Sequence, residues 1–546
     1  LAFKLSGIGL SDVDQAQVKA IKSELSKLGN EFSNRVVDAT DRWNLNVIDE
    51  QRVAGIPAPN LDYAKQLAEA KQLDGWLFTL DIPQYLAVMT YADDRDLRRE
   101  LHEAFASRAS PVNTLDSELN NAPTIERTLE LRAELSKLLG YANYAELSLA
   151  TKMAESTDQV LGFLNELAEK SLATAQAEFS ELQSFAQANG LEGGLKPWDV
   201  AYYSELLKQS SYQVSAQEVK AYFPVDSVVA GLFDVVNKLF DVSFERDEVD
   251  VWHEDASFYW LVRNGQRIAG FYFDLFAREG KRGGAWMADA RVRVSSPLVT
   301  QLPIAFLNCN FAPPTKDTPS LLTHDDVTTL FHEFGHGLHH MLTQVTVADV
   351  SGINGVAWDA VELPSQWLEN WCWDRDTLKS MSRHYQSGDS LPDELLDKML
   401  RAKNFQSAMA MCRQLEFALF DFELHANPSW NRYSDVMAHL DAIRSKVCVL
   451  PVSELNHFPC SFSHIFAGGY AAGYYSYKWA EVLSADAFGL FEELGLYNRE
   501  AAERFELKFL CRGGSKPAAE LYRDFRGRDA KVDYLLRHSG IEVEHV

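Results

Sequence analysis

The sequence predicts a mainly α-helical protein of two lobes with one small β element. Three observations lead there. Apolar residues recur at three- and four-residue steps over most of the chain, the period of an amphipathic helix. A stretch near residues 249–312 breaks that rhythm, alternates apolar with polar residues and carries Asn264-Gly265, a dipeptide that favours a tight hairpin. And 546 residues are too many for one simple core, so the chain should divide.

The elements follow in order. In "QAQVKAIKSELSKLGNEFSNRVVDATDRW" (15–43), Val18, Ile21, Leu25, Leu28 and Phe32 mark one helix face. "TIERTLELRAELSKLLG" (124–140) and the long stretch 156–190 have the same pattern. The second ends on Asn189-Gly190, a helix stop. "GLEGGLKPWD" (190–199) is the clearest punctuation in the first half and sets a lobe boundary near 200. "VDVWHEDASFYWLVRNGQRIAGFYFDLFAREG" (249–280) reads as a hairpin and "LPIAFLNCNF" (302–311) as a further strand. From 320 onward the pattern is helical again, interrupted by "SGINGVAWD" (351–359) and "FAGGYAAGYYSY" (466–477). No fixed-period repeat argues for a solenoid.

Composition narrows the function classes. Hydrophobic residues make up 46% and charged residues 24%, ordinary for a globular protein. Apolar runs such as "DSVVAGLFDVVNKLF" (226–240) are broken by charge, so no membrane span is expected. With 52 basic and 78 acidic residues the net charge is −26, which argues against nucleic acid and anionic membranes as partners. The N-terminal "LAFKLSGIGLSDVDQ" lacks the basic-then-apolar layout of a secretion signal. The six cysteines are scattered without a C-x-x-C pair, which fits reduced thiols in the cytoplasm better than a disulfide framework.

The chemistry centres on "LFHEFGHGLHH" (330–340). Thr323 and Asp326 read as a capping box that opens a helix there. On that helix His332 and His336 lie four apart on one face, about one turn from each other. Two imidazoles so placed can reach one ion at about 2.0–2.1 Å each. Glu333 points aside and can instead hold and deprotonate a water on that ion. The competing reading is a helix with three polar residues near solvent, which Phe331 and Phe334 make awkward. A catalytic zinc needs a third protein ligand. Glu362 in "DAVELPSQWLENW" is the candidate, in the opening turn of a second helix started by Pro364 with Asp359 as N-cap. Glu369, two turns along, either accepts a hydrogen bond from a ligand histidine or is an ordinary surface carboxylate. Asp359 is similarly open between supporting the site and simple capping. His339 and His340 should cover the helix surface, and His324 should serve the capping turn.

"FHEFGHGLHH" followed by "DAVELPSQWLENWCW" resembles the thimet oligopeptidase / oligopeptidase A family of zinc metallopeptidases, and within it the bacterial members most. The similarity runs from residue 1 to "LYRDFRGRDAKVDYLLRHSGI" (521–541), through "LATKMAES" (149–156) and "KRGGAWM" (281–287). The resemblance implies one Zn2+ per chain on His332, His336 and Glu362, with Glu333 activating water. It implies two helical lobes around a deep substrate channel, a channel-wall lobe at 1–200 and a catalytic lobe at 201–546. In "SHIFAGGYAAGYYSYKW" (463–479), a Gly- and Tyr-rich loop suits a mobile flap. There the resemblance implies that Tyr470 and Tyr477, with His464, stabilise the oxyanion, and that Tyr474, Gly468 and Gly469 touch the substrate. Tyr475 reads as a core aromatic.

The implied activity is endopeptidase cleavage of short unfolded peptides. Two alternatives remain at this point: a dipeptidyl carboxypeptidase of the same family, and a catalytically silent peptide-binding protein. Relatives carry a further helical segment ahead of the point where this sequence opens. Were it lacking, the face of Val18, Ile21 and Leu25 would need another partner. The family implies a monomer, and an uncovered face of that kind implies self-association.

Overall fold

The computed structural model describes residues 1–113, 117–213, 216–278, 284–314 and 318–541. Residues 281–283 of "KRGGAWM" and part of the expected β stretch lie outside the described residues. The principal helices are α1 (Asp12–Arg42), α2 (Ala122–Leu138), α3 (Thr157–Ala188), α4 (His324–Met341), α5 (Leu363–Glu369), α6 (Ser407–Ala426) and α7 (Ser476–Leu494). Among the described residues no helix is long and apolar enough to cross a membrane.

The chain forms two compact units, each discontinuous in sequence. Unit 1 comprises Leu1–Ala150, Ala154–Ser211 and Gln406–Tyr475; unit 2 comprises Thr151–Met153, Tyr212–Phe405 and Ser476–Val546. This differs from a single cut near residue 200. Gln406–Tyr475 returns to unit 1 because α6 packs along α3. There the Glu178 carboxylate accepts the backbone N–H groups of Ala408 and Met409 at the start of α6. Periodicity reports that a helix has an apolar face; it does not report which distant helix covers it.

In unit 1, Ser11 caps α1 by accepting the Asp14 N–H. The Val18, Ile21 and Leu25 face of α1 is covered within unit 1 itself. Val18 and Ile21 are buried against Leu131 and Leu135 of α2 and Leu139 just after it, and Leu25 packs partly buried against the same cluster. A short antiparallel pair, β1 (Asn44–Val47) and β2 (Trp76–Thr79), lies outside the expected β region. Each is four residues long, too short to display alternation.

In unit 2 the small β element is a five-stranded sheet. Its strands are β3 (Ser243–Asp247), β4 (Ser257–Arg263), β5 (Gln266–Phe276), β6 (Trp286–Arg291) and β7 (Ile304–Phe311), in the order β3-β4-β5-β7-β6. The β4–β5 hairpin turns at Asn264-Gly265, both with positive φ (53° and 72°), as a tight two-residue hairpin demands. β7 pairs parallel to β5 and antiparallel to β6. The core of this unit is one continuous cluster. Phe271, Leu307, Phe331, Phe334, Trp367 and Trp371 belong to it, and each is at most 1% exposed. Phe334 meets Phe271 edge-on at 5.3 Å, which clamps α4 to the sheet.

Candidate metal centre

α4 begins with the capping box read from sequence. Thr323 Oγ1 accepts the Asp326 N–H at 3.1 Å, and Asp326 accepts the Thr323 N–H at 2.9 Å. Val327, Leu330, Phe331, Phe334 and Leu338 bury one face of the helix in the unit 2 core. That anchorage fixes how the neighbouring face presents His332 and His336, whose rings stand 4.9 Å apart and nearly perpendicular. α5 then comes very close. A Cβ built on Gly335 would sit 2.5 Å from Ser365 Cα and 2.6 Å from the Pro364 carbonyl oxygen. Only glycine lets the two backbones approach this far.

The approach delivers Glu362. Its Oε2 lies 3.2 Å from His332 Nε2 and 3.2 Å from His336 Nε2. One ligand atom from each residue falls within 4.8 Å of the others. Ser365 Oγ donates to the Glu362 carbonyl at 2.8 Å and braces the turn. Glu362 itself is the N-cap of α5, one residue ahead of Leu363 and two ahead of Pro364. Asp359 is therefore not the cap. It is fully buried and accepts the Met153 N–H at 2.6 Å, within the same unit. Glu369 accepts a hydrogen bond from His332 Nδ1 at 2.5 Å, so it is not a free surface carboxylate. Glu333 is 5% exposed, and its Oε2 has no hydrogen-bond partner among the described residues. His324, His339 and His340 are not part of this group. His339 and His340 are buried instead of covering the surface: His339 packs on Phe509, and His340 Nε2 donates to the Arg291 carbonyl. His324 Nε2 donates to the Cys372 carbonyl at 2.7 Å.

The electrostatics suit a cation. Burial disfavours charge on His332, but hydrogen bonds to Glu362 and Glu369 outweigh it and push the imidazole up to about 10. Burial would raise Glu362, yet the bonds to His332 and His336 hold its carboxyl far below the usual carboxylate range. Burial raises Glu333, and the two histidines offset this only in part. Among the described residues, the strongest charged influences on Glu333, Glu362 and Glu369 are histidines and other carboxylates. Because His332 Nδ1–H is committed to Glu369, its Nε2 faces the Glu362 oxygen across a shared proton, and a metal ion can take the place of that proton. The donor set of two imidazoles and one carboxylate matches a catalytic zinc site, so these residues fit the metal.

The tyrosine loop belongs to unit 1, whereas Tyr477 sits at the start of α7 in unit 2. Gly468 and Gly469 are exposed and Tyr470 is half-buried. His464 meets Tyr470 at 5.8 Å and Tyr474 at 5.6 Å, both edge-on. Tyr474, read as a substrate contact, is buried, and its hydroxyl donates to Gln414 Oε1 at 3.1 Å. Its ring packs edge-on against Phe417 and Phe462, so its polar end is engaged within the unit. Tyr475 is fully buried. Sequence reasoning did not single out Gly335. Its signal was present: a glycine between two ligand positions of a helix costs roughly 1 kcal/mol against alanine and needs a packing reason.

Comparison with known proteins decides the family. The model of peptidase family M3 matches residues 88–541. The chain belongs to peptidase family M3. It is 50% identical over 543 residues to the oligopeptidase A of Salmonella typhimurium, a match covering 99% of this chain and 80% of that relative. To the dipeptidyl carboxypeptidase of Escherichia coli it is 34% identical over 548 residues, covering 99% of this chain and 79% of the relative. Among solved structures, a PZ peptidase A with inhibitor shares the fold, with a TM-score of 0.58 at 16% identity, over 99% of this chain and 78% of that one. As a member of this family the chain is a metallopeptidase, and its substrates are peptides.

Proposed function

We propose that the chain is a zinc endopeptidase that cleaves internal bonds of short unfolded peptides, binding one Zn2+ through His332, His336 and Glu362. The observation that carries this reading is the convergence of those three side chains beside a buried Glu333 whose Oε2 has no partner among the described residues. When bound, zinc supplies a Lewis acid that polarises the scissile carbonyl and acidifies water.

Glu333 accepts the proton of the attacking water and passes it to the leaving amine nitrogen. Its upward shift brings the carboxyl closer to the pH at which it must both take and give a proton. Glu369 fixes the tautomer and tilt of His332 through Nδ1. Tyr470 and Tyr477 donate phenolic hydrogen bonds to the carbonyl oxygen as its charge develops, with His464 assisting. Gly468 and Gly469 lie against the peptide backbone. The similarity to oligopeptidase A over 99% of the chain supports an oligopeptide substrate. The acidic charge and six free cysteines support a cytoplasmic protein that avoids nucleic acid, and the covered α1 face supports a monomer.

Glu333→Gln is the test. The variant should keep its zinc, by metal analysis, and lose kcat on a quenched fluorescent peptide by roughly a thousandfold or more. Wild-type activity should vanish with chelator and return with zinc. A Gln variant as fast as the parent would remove Glu333 from the mechanism. Similarity to a dipeptidyl carboxypeptidase favours a second reading, in which only C-terminal dipeptides are released. Product masses from one defined peptide decide between the two.

A further inference from the structure

We propose that Asp421 is a positioning residue for the reaction: it shapes the turn that presents Tyr470. The proposal rests on the role given above to Tyr470. Asp421 lies on α6 and is fully buried. Its Oδ1 accepts the N–H of Ala472, and its Oδ2 accepts those of Gly473 and Tyr474, each at 2.9 Å. Three consecutive backbone donors thus converge on one carboxylate. Ala472 has φ +47°, a left-handed conformation that a non-glycine residue adopts reluctantly. The hydrogen bond from its N–H to Asp421 holds it there. Gly473 N–H also donates to the Tyr470 carbonyl at 2.8 Å, which closes a turn that starts at Tyr470.

The carboxylate does not act alone. His425, one turn further along α6, is buried and donates through Nδ1 to the Asp421 carbonyl at 2.8 Å, with Asp421 Oδ1 only 3.0 Å away. Its Nε2 then accepts from Arg132 Nη1 at 2.8 Å, since a guanidinium can only donate. Arg132 Nη2 continues to the Ile465 carbonyl at 2.6 Å. Ser148 Oγ donates to the carbonyls of Ala471 and Ala472 at 3.0 and 3.1 Å. The run from Arg132 through His425 to Asp421 therefore grips the loop on both sides of Gly468-Gly469-Tyr470. Between the grips Gly469 is open: a Cβ added there would meet nothing within 4 Å. A phenol that must donate to a developing negative charge gains from a backbone fixed in advance, and this buried network fixes it.

A double-mutant cycle tests the proposal, run on zinc-loaded full-length protein. Asp421→Asn keeps the shape but turns an amide donor toward backbone N–H groups. It should lower kcat about 10- to 100-fold, with KM within about twofold and zinc content unchanged. In a Tyr470→Phe background the same change should lower kcat by less than about threefold, because the group it positions is already gone. A loss that stays as large in the Tyr470→Phe background overturns the proposal and leaves the role of Tyr470 standing. A Tyr470→Phe enzyme with wild-type kcat removes the role of Tyr470 and this proposal with it. Should Asp421→Asn not accumulate as folded protein, Ser148→Ala takes its place in the same cycle, with a smaller loss of kcat expected and the same vanishing in the Tyr470→Phe background.

Discussion

The candidate metal cluster of unit 2 and the tyrosine loop of unit 1 fix their side chains in different ways. In the cluster, two helices anchored in an apolar core carry the side chains, and Gly335 sets how near they come. In the loop, the backbone itself is gripped by a carboxylate, an arginine and a serine hydroxyl. Helices place ligands that must meet an ion to within tenths of an ångström. A hydrogen-bonded turn places a donor while its flanking glycines stay open to solvent. The lesson is that rigidity is supplied by packing at one place and by buried polar bonds at the other.

Three substitutions probe the packed side of that contrast. Gly335→Ala should have the largest effect, because its methyl would collide with backbone and not with a flexible side chain. Overpacking of about 1–3 kcal/mol should weaken zinc binding roughly 10- to 100-fold, read by competition with a chelator. An unchanged affinity would mean the helix spacing does not govern the cluster. Glu369→Gln comes next. It keeps the size but weakens the bond to His332 Nδ1, so zinc affinity should fall about tenfold while the fold is unchanged by circular dichroism. Thr323→Ala should have the smallest effect on chemistry. It removes one half of the capping box and should cost about 1 kcal/mol in urea unfolding, with kcat on folded enzyme unchanged. A large drop in kcat there would show that α4 is set by its cap and not by the core.

Much of unit 2 could be read locally. The capping box at Thr323 and Asp326, the Asn264-Gly265 turn and the spacing of His332, Glu333 and His336 are short-range signals, each complete within a few residues. What could not be read depends on distant partners. Asp359 looked like a cap, yet its carboxylate serves a backbone N–H more than two hundred residues away in sequence. Two adjacent histidines at 339 and 340 looked polar enough for the surface, but the unit 2 core closes over them. Placing β7 between β5 and β6 is likewise a matter of pairing between strands. Asp421 carried no motif at all. Its meaning comes from a turn some fifty residues downstream that only the folded chain brings back to it.

The return of α6 to α3 has a bearing on how the protein is made. Glu178 leaves the ribosome 231 residues before Met409, the residue whose amide it holds. Synthesis at about 5–20 residues per second makes that an interval on the order of ten to fifty seconds. Until then α3 has an uncovered flank, and the nascent chain is exposed to mispairing or to capture by a chaperone. Neither unit can be finished as a simple N-terminal-first module, so biogenesis of this enzyme should be more fragile than its finished state.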